Sequence, residues 1–327
     1  MAKLVTIFGG SGFVGRYIAR RMAKQGWRVR VAVRRPNEAL FVKTYGAVGQ
    51  VEPILCNIRN DASVDEALNG ADAAVNCVGI LIEEKKNTFS AVQHSGAERI
   101  GRLSKKHGIK SLVHISAIGA DENSKSIYSS TKAKGENAIV SNFPNAIILR
   151  PSIVFGQEDQ FFNRFAKMAT MAPFLPLVGA TTRFQPVFVD DVAKAAEAAL
   201  LGSVQEGTYE LGGPEIKDFR ELMIDMLRII KRRRLIINTP RFIAKLMAFG
   251  LSTLQLFTLG LFKNSIITKD QIENLGIDNI VSEQAKSFKN LNVDPLDMGS
   301  VLPEYLWRYR PSGQYDAIKD SAKNLRS

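Results

Sequence analysis

Up to residue 151 the chain alternates short apolar, β-branched runs with stretches whose apolar residues recur at helical spacing. The runs are LVTIF, RVRVAV, PILC, AAVNCVG, SLVHIS and AIILRP. Between them the spacing predicts a helix from about Gly12 to Gln25, one ending near His107 and one after Tyr128. Strands that are apolar at every position are buried on both faces, and strand–helix alternation makes βαβ units. The expected fold class is therefore α/β: a doubly wound parallel sheet with helices on both faces.

After Gly156 the pattern changes. FFNRFAKMATMAPFLPLVG reads as an apolar helix followed by a proline-punctuated loop, FQPVFVDDVAKAAEAALL as a strand turning into a helix, and TYELGG follows. The chain is thus expected to divide into a first domain of residues 1–155, to which 184–212 return, and a smaller, mainly helical docking or substrate domain of residues 156–327. From Lys231 the run KRRR leads into LIINTPRFIAKLMAFGLSTLQLFTLGLF. Its uncharged part, Leu246 to Phe262, has 17 residues, short of the roughly 20 that a spanning helix needs. Arg241, Lys245, Ser252 and Gln255 fall on one narrow helical stripe and leave a wide apolar face. Two covers for that face stay open: the interior of the second domain, or a membrane surface or partner towards which the basic flank helps.

Hydrophobic content of 45% and charged content of 23% are those of a folded chain, not a disordered one. The formal charge of +12 either serves solubility or points to an anionic partner: a membrane surface, an acidic protein or nucleic acid. Nucleic acid is the weakest of the three, since neither an RNA-binding aromatic motif nor a helix-turn-helix is legible. Cys56 and Cys77 each end an apolar run and are expected as free core thiols in a reducing compartment. The apolar run from Leu4 leads directly into a glycine loop, so no cleavable leader is expected and the location is expected to be cytoplasmic. His94, His107 and His114 are scattered, make no metal site and receive no role.

The glycine loop carries the chemistry. Residues Gly9, Gly10, Ser11, Gly12, Phe13, Val14 and Gly15 read GGSGFVG and lie between the first strand and the first helix. Glycines there allow a tight turn and a close approach of backbone to a pyrophosphate, whose charge then faces a helix N-terminus. This makes the sheet a Rossmann-type dinucleotide binder. An NAD site usually has Asp or Glu at the end of the second strand to hold the ribose hydroxyls, whereas this chain has Arg34 and Arg35. Two guanidinium groups suit a 2′-phosphate, so NADPH or NADP is expected in preference to NAD. Asn57, and the run Asn76, Cys77, Val78, Gly79, end the third and fourth strands where adenine and ribose would lie.

With the loop, NCVG, YSSTK, LRPSIVFG, VFVDDVA and YELGG in this order, the chain resembles the extended or atypical short-chain dehydrogenase/reductase superfamily over about its first 215 residues. The resemblance implies that Tyr128 exchanges a proton with a substrate oxygen, that Lys132 lowers its pKa and binds the nicotinamide ribose, and that a serine orients the carbonyl. Tyr128 and Lys132 lie one helical turn apart, as that requires. The serine departs from the pattern. Where the family has Ser-Ser, this chain has Ser116-Ala117-Ile118, which puts a catalytic Ser116 in question and leaves the Tyr–Lys pair chiefly to hold the cofactor. The cofactor set implied is then the loop, Arg34, Arg35, Asn57, Cys77, Val78, Gly79, Ser116, Tyr128, Lys132 and Pro151. VHISAIGAD, FPNAIILRPSIVFGQEDQFFNRFA and LPEYLWRYRPSGQYD further resemble the NADPH-binding accessory subunits of respiratory complex I and their bacterial homologues. That resemblance implies complex I subunits near the quinone site as partners, an anionic membrane surface beside them, a peripheral place on a bacterial inner membrane, and little or no turnover. The alternative is an active NADP-dependent reductase or epimerase with an apolar substrate.

Overall fold

Six of the seven strands of the main sheet come from the apolar runs of the first 151 residues. They are β1 (Leu4–Phe8), β2 (Arg28–Val33), β3 (Val51–Leu55), β4 (Ala73–Asn76), β5 (Ser111–Ile115) and β6 (Ile147–Pro151). The seventh, Gly207–Leu211, lies in the TYELGG run and pairs with β6. The sheet is parallel throughout, and with Gly207–Leu211 at one edge its order continues β6-β5-β4-β1-β2-β3. The chain reverses its direction of travel across the sheet between β1 and β4. Such a reversal opens a crevice at the carboxyl ends of the two strands, where ligands of this class of sheet bind. β1 is buried at all five positions because both faces are covered.

The computed structural model describes residues 2–202, 204–240, 242, 269–315 and 318. They form two compact units: Met1–Ser152, Val189–Gly212 and Val281–Pro295 make the first, and Ile153–Phe188, Gly213–Ile280 and Leu296–Ser327 the second. In the first unit, α1 (Phe13–Lys24) packs against the helix Val189–Leu200, and Arg21 holds Asp190 and Glu197 at 2.6 and 2.8 Å. A separate core joins α2 (Asp61–Leu68), α3 (Ser95–Lys106) and α4 (Ile127–Asn142) to the sheet through Val64, Ile100, Leu112, Ile139 and Ile148. α4 starts at Ile127, capped by the Ser126 hydroxyl, which accepts from Ser129 N–H at 3.2 Å. Tyr128 is therefore inside the first turn of this helix and not ahead of it.

The second unit is built on aromatic packing. Phe155, Phe161, Phe162, Phe165, Phe184 and Phe219 form a chain of ring contacts over helices Phe162–Met171, Phe219–Ile229 and Met298–Leu306. The Tyr305 hydroxyl donates to buried Asp159 at 2.5 Å, which ties the last of these helices to the core. The expected proline-punctuated loop is partly a strand: Phe174–Leu177 pairs in parallel with Leu235–Asn238. A β-branched pair, Ile236 and Ile237, opposite Leu175 and Pro176 outweighs the proline, whose missing N–H is tolerated in a two-stranded ladder. Arg241, Lys245, Ser252, Gln255 and the run Leu246–Phe262 lie outside the described residues, and no described helix is long and apolar enough to cross a membrane.

Candidate functional site

The glycine loop closes at the carboxyl end of β1. Gly9 has φ +75°, a conformation that an L side chain strains to adopt, and its N–H donates to Ala32 O of β2 at 2.9 Å. A Cβ on Gly9 would meet Cys77 backbone and the Val78 side chain at 3.2 to 3.3 Å, so the loop and the end of β4 are in close contact. Gly15 lets α1 approach the loop: a Cβ there would lie closer to Gly9 O than van der Waals contact allows and 2.7 Å from Gly10 Cα. Gly12 is the N-cap of α1 with no side-chain cap, and the first turn carries no acidic residue. The helix end is thus left positive, with Ser11, Phe13 and Val14 beside it, which suits a diphosphate.

Across the crevice, β4, β5 and α4 converge on one ammonium. Lys132 is 5% exposed. Its Nζ donates to Ile115 O at 3.0 Å and lies 3.5 Å from the place a Gly79 Cβ would take. Burial pulls its pKa down from 10.5 to about 8, against the opposing pull of Glu136 and Cys77. Glu136 is itself paired: Arg150 Nη2 donates to it at 2.6 Å. A buried ammonium with one carbonyl partner has donors to spare, and the hydroxyls of a ribose are acceptors of the right kind.

Tyr128 is half-buried on the same face of α4, its ring edge-on to Phe89 with centroids 5.9 Å apart. Ser116 follows β5, its N–H donating to Leu149 O at 2.7 Å. Its hydroxyl is buried and has no hydrogen-bond partner among the described residues. Ala117 offers no hydroxyl, and Ile118 N–H is taken by Pro151 O at 3.0 Å. The orphan Ser116 hydroxyl and the under-paired Lys132 are the two buried polar groups that a bound nicotinamide ribose would satisfy, so the residues present fit a dinucleotide.

The remaining expected residues are placed less tightly. Arg34 and Arg35 are exposed after β2; Arg35 pairs with Glu38 at 3.0 Å, and Arg34 has no ion pair among the described residues. Asn57 spends its Oδ1 on its own turn, accepting from Arg59 N–H at 3.1 Å. Pro151 ends β6, three strands from β1, with β4 and β5 between them. Two pairs had no sequence signal. Asn76 Oδ1 accepts from Val78 N–H at 3.0 Å, so its amide donates to His114 Nδ1, also at 3.0 Å. Burial and nearby Lys132 keep His114 well below its ordinary pKa, so it is neutral and carries its proton on Nε2. Buried Gln93 accepts from Thr131 Oγ1 at 2.8 Å and donates to Ile80 O at 2.9 Å, fixing α4 against the chain that follows β4.

This geometry agrees with what the chain is similar to. The model of the NAD dependent epimerase/dehydratase family matches residues 5–212. The chain belongs to that family. It is 34% identical, over 95% of its length and 79% of the relative's, to the Arabidopsis thaliana mitochondrial NADH dehydrogenase [ubiquinone] 1 alpha subcomplex subunit 9. It is 32% identical, over 98% and 83%, to the Neurospora crassa mitochondrial NADH-ubiquinone oxidoreductase 40 kDa subunit. The family fold recurs in Thermus thermophilus UDP-glucose 4-epimerase solved with NAD (TM-score 0.62, 18% identity, covering 93% of this chain and 98% of that one). It recurs again in Bacillus anthracis dTDP-4-dehydrorhamnose reductase solved with NADP (TM-score 0.58, 16% identity, covering 73% and 85%). Members of the fold thus hold either nicotinamide dinucleotide.

Proposed function

We propose that this chain is an NADPH-holding, dehydrogenase-like accessory or assembly protein of respiratory complex I, with little or no catalysis of its own. The observation that carries it is a glycine loop and a Tyr128–Lys132 pair suited to a dinucleotide beside a departure from the family's reaction site: the hydroxyl expected to steady a reacting carbonyl is buried Ser116, followed by Ala117. Similarity to complex I subunits over nearly the whole chain supports the partner. When bound, the cofactor would supply hydride chemistry; this chain's part is to bind and orient it. The diphosphate is held by the loop and the first turn of α1, the nicotinamide ribose by Lys132 and Tyr128, and the 2′-phosphate by Arg34 and Arg35.

The finer placement follows from charge. Residues 226–269 contain nine Lys and Arg and no Asp or Glu. On the two-stranded ladder of the second unit, Phe174, Leu235 and Ile237 are 46%, 68% and 41% exposed, and Leu235 directly follows KRRR. An apolar face edged by arginines suits an anionic lipid surface, where each basic residue contributes about 1 kcal/mol. A peripheral place on the cytoplasmic face of a bacterial inner membrane, near the quinone end of the complex, fits both.

Two measurements test this. Tyr128→Phe should leave complex I-dependent respiration within about twofold of wild type, because a holding site moves no proton; respiratory loss from a variant that folds and retains NADPH favours the active reductase, for which the Tyr128–Lys132 pair on one face of α4 is the structural argument. Arg34→Asp with Arg35→Ala should weaken NADPH by roughly tenfold or more and NADH little; equal weakening removes the 2′-phosphate assignment.

A further inference from the structure

We propose that Arg150, on β6, is a positioning residue of the cofactor cradle: it holds Glu136 off Lys132 and so keeps the ammonium's remaining protons for a nicotinamide ribose. Lys132 and Glu136 lie one turn apart on α4 and are both buried, 5% and 4% exposed. Side chains four residues apart on a helix are neighbours, and opposite charges attract more strongly in a buried site than on a surface. The two would be expected to pair. Instead, the one hydrogen bond from Lys132 Nζ among the described residues goes to Ile115 O at 3.0 Å. Glu136 is near enough to pull the Lys132 pKa upward, so the carboxylate is felt by the ammonium without being bonded to it.

Arg150 supplies the competing partner. Its Nε–H donates to both Glu136 oxygens, at 3.0 and 3.2 Å, and its Nη2–H to Oε2 at 2.6 Å. A planar guanidinium fixes both oxygens of a carboxylate where a point charge would fix one. Arg150 is itself held from the other side. Its Nη1 lies 3.8 Å from Oε1 of Glu210, its register partner on the strand Gly207–Leu211, and Glu210 Oε2 accepts from Ser282 N–H at 2.8 Å. Positive and negative groups thus alternate from Lys132 through Glu136 and Arg150 to Glu210. Of the four, Lys132 alone, at the cradle end, is not bonded to a partner of opposite charge.

A methionine at position 150 removes the competitor. Glu136 would then be a buried carboxylate without a counter-ion, a state it leaves by taking the cation one turn away. An ammonium bonded to Glu136 has fewer protons for a ribose, and its charge is already balanced. The expected loss is that of one charge-assisted hydrogen bond, roughly tenfold in affinity. A nucleotide that lacks the second ribose does not meet Lys132 and should not sense the change.

This inference rests on the cofactor holding proposed above, and the test separates the two. The full chain and its Arg150→Met, Arg150→Lys, Lys132→Met and doubly substituted Arg150→Met, Glu136→Gln variants are titrated with NADPH and with ADP, which carries the adenosine and diphosphate alone; melting curves are the control for folding. Arg150→Met should weaken NADPH by roughly tenfold and ADP by less than about twofold. Arg150→Lys, which cannot hold both oxygens, should weaken NADPH by about threefold. The added Glu136→Gln should bring NADPH back to within about threefold of wild type, because a neutral amide does not draw the ammonium. If Arg150→Met does not fold, Arg150→Lys and the double variant carry the same comparison. Equal weakening of NADPH and ADP makes Arg150 a brace of the fold and overturns the proposal. So do folded Arg150 variants that bind NADPH like wild type, and a double variant that binds NADPH more than about threefold less tightly than wild type. Lys132→Met binding NADPH normally overturns the cradle reading itself, and the proposal with it.

Discussion

Lys132→Met is expected to raise the melting temperature of the cofactor-free protein while lowering its affinity for NADPH by roughly 10- to 100-fold, the loss of charge-assisted bonds. The buried ammonium has Ile115 O as its carbonyl partner, and its pKa falls from 10.5 to about 8. At neutral pH that depression corresponds to about 3 kcal/mol of unfavourable burial. Methionine fills the same volume without the charge, so the cofactor-free fold should gain about 1–3 kcal/mol. The pH dependence gives the sign independently. Because the folded pKa lies below the unfolded one, the unfolded chain binds the extra proton between pH 8 and 10.5, and stability rises with pH through that window. Cys77 opposes it from pH 9 upward: burial pushes its thiol from 9.0 to about 12, the folded state keeps a proton that the unfolded state has lost, and stability falls. The Lys132 rise is therefore read between pH 8 and 9, and over its whole range in a Cys77→Ala background. A Lys132→Met protein less stable than wild type, or one that binds NADPH normally, contradicts the account. A chain that keeps a destabilising lysine in its cradle does so for a ligand.

Gly12→Asp should abolish NADPH binding, by about a thousandfold or more, with little change in the melting of the cofactor-free protein. The backbone at Gly12, φ −71° and ψ −179°, is that of an ordinary N-cap, a position aspartate favours. Its carboxylate would accept from the first-turn N–H groups and place a negative charge where the diphosphate belongs. The gain from the cap, about 0.5–1 kcal/mol, is offset by a Cβ that meets Gly9 O at 3.1 Å. What disappears is the stabilisation by ligand, about 2.7 kcal/mol at a hundredfold excess over Kd. In cells the variant should therefore be depleted along with any complex that depends on it. Differential scanning with and without NADPH reads this directly: a thermal shift retained by Gly12→Asp would remove the diphosphate from the glycine loop.

Much of this was legible in the sequence because it is local. The run LVTIF followed by GGSGFVG and a helical pattern specifies strand, loop and helix within 24 residues, and the spacing of Tyr128 and Lys132 puts both on one face of α4. What escaped is held together by contacts between distant residues. The Asn76–His114 and Gln93–Thr131 pairs each span 38 residues, and Glu136–Arg150 joins a helix to a strand; none follows any periodicity. The ladder of Phe174–Leu177 with Leu235–Asn238 was hidden because Pro176 speaks against a strand and LIIN follows a run of charge. Val281–Pro295 joins the first unit through single bridges, such as Tyr209 with Lys286, that no pattern announces.

The central claim is best tested by isolating the tagged protein from detergent-solubilised native membranes, identifying what comes with it and assaying the nucleotide it retains. Complex I subunits, or assembly intermediates of that complex, together with about one NADPH per chain, are the predicted result. A protein that arrives alone with NADP in rapid exchange, and that oxidises NADPH when offered carbonyl substrates, would contradict it.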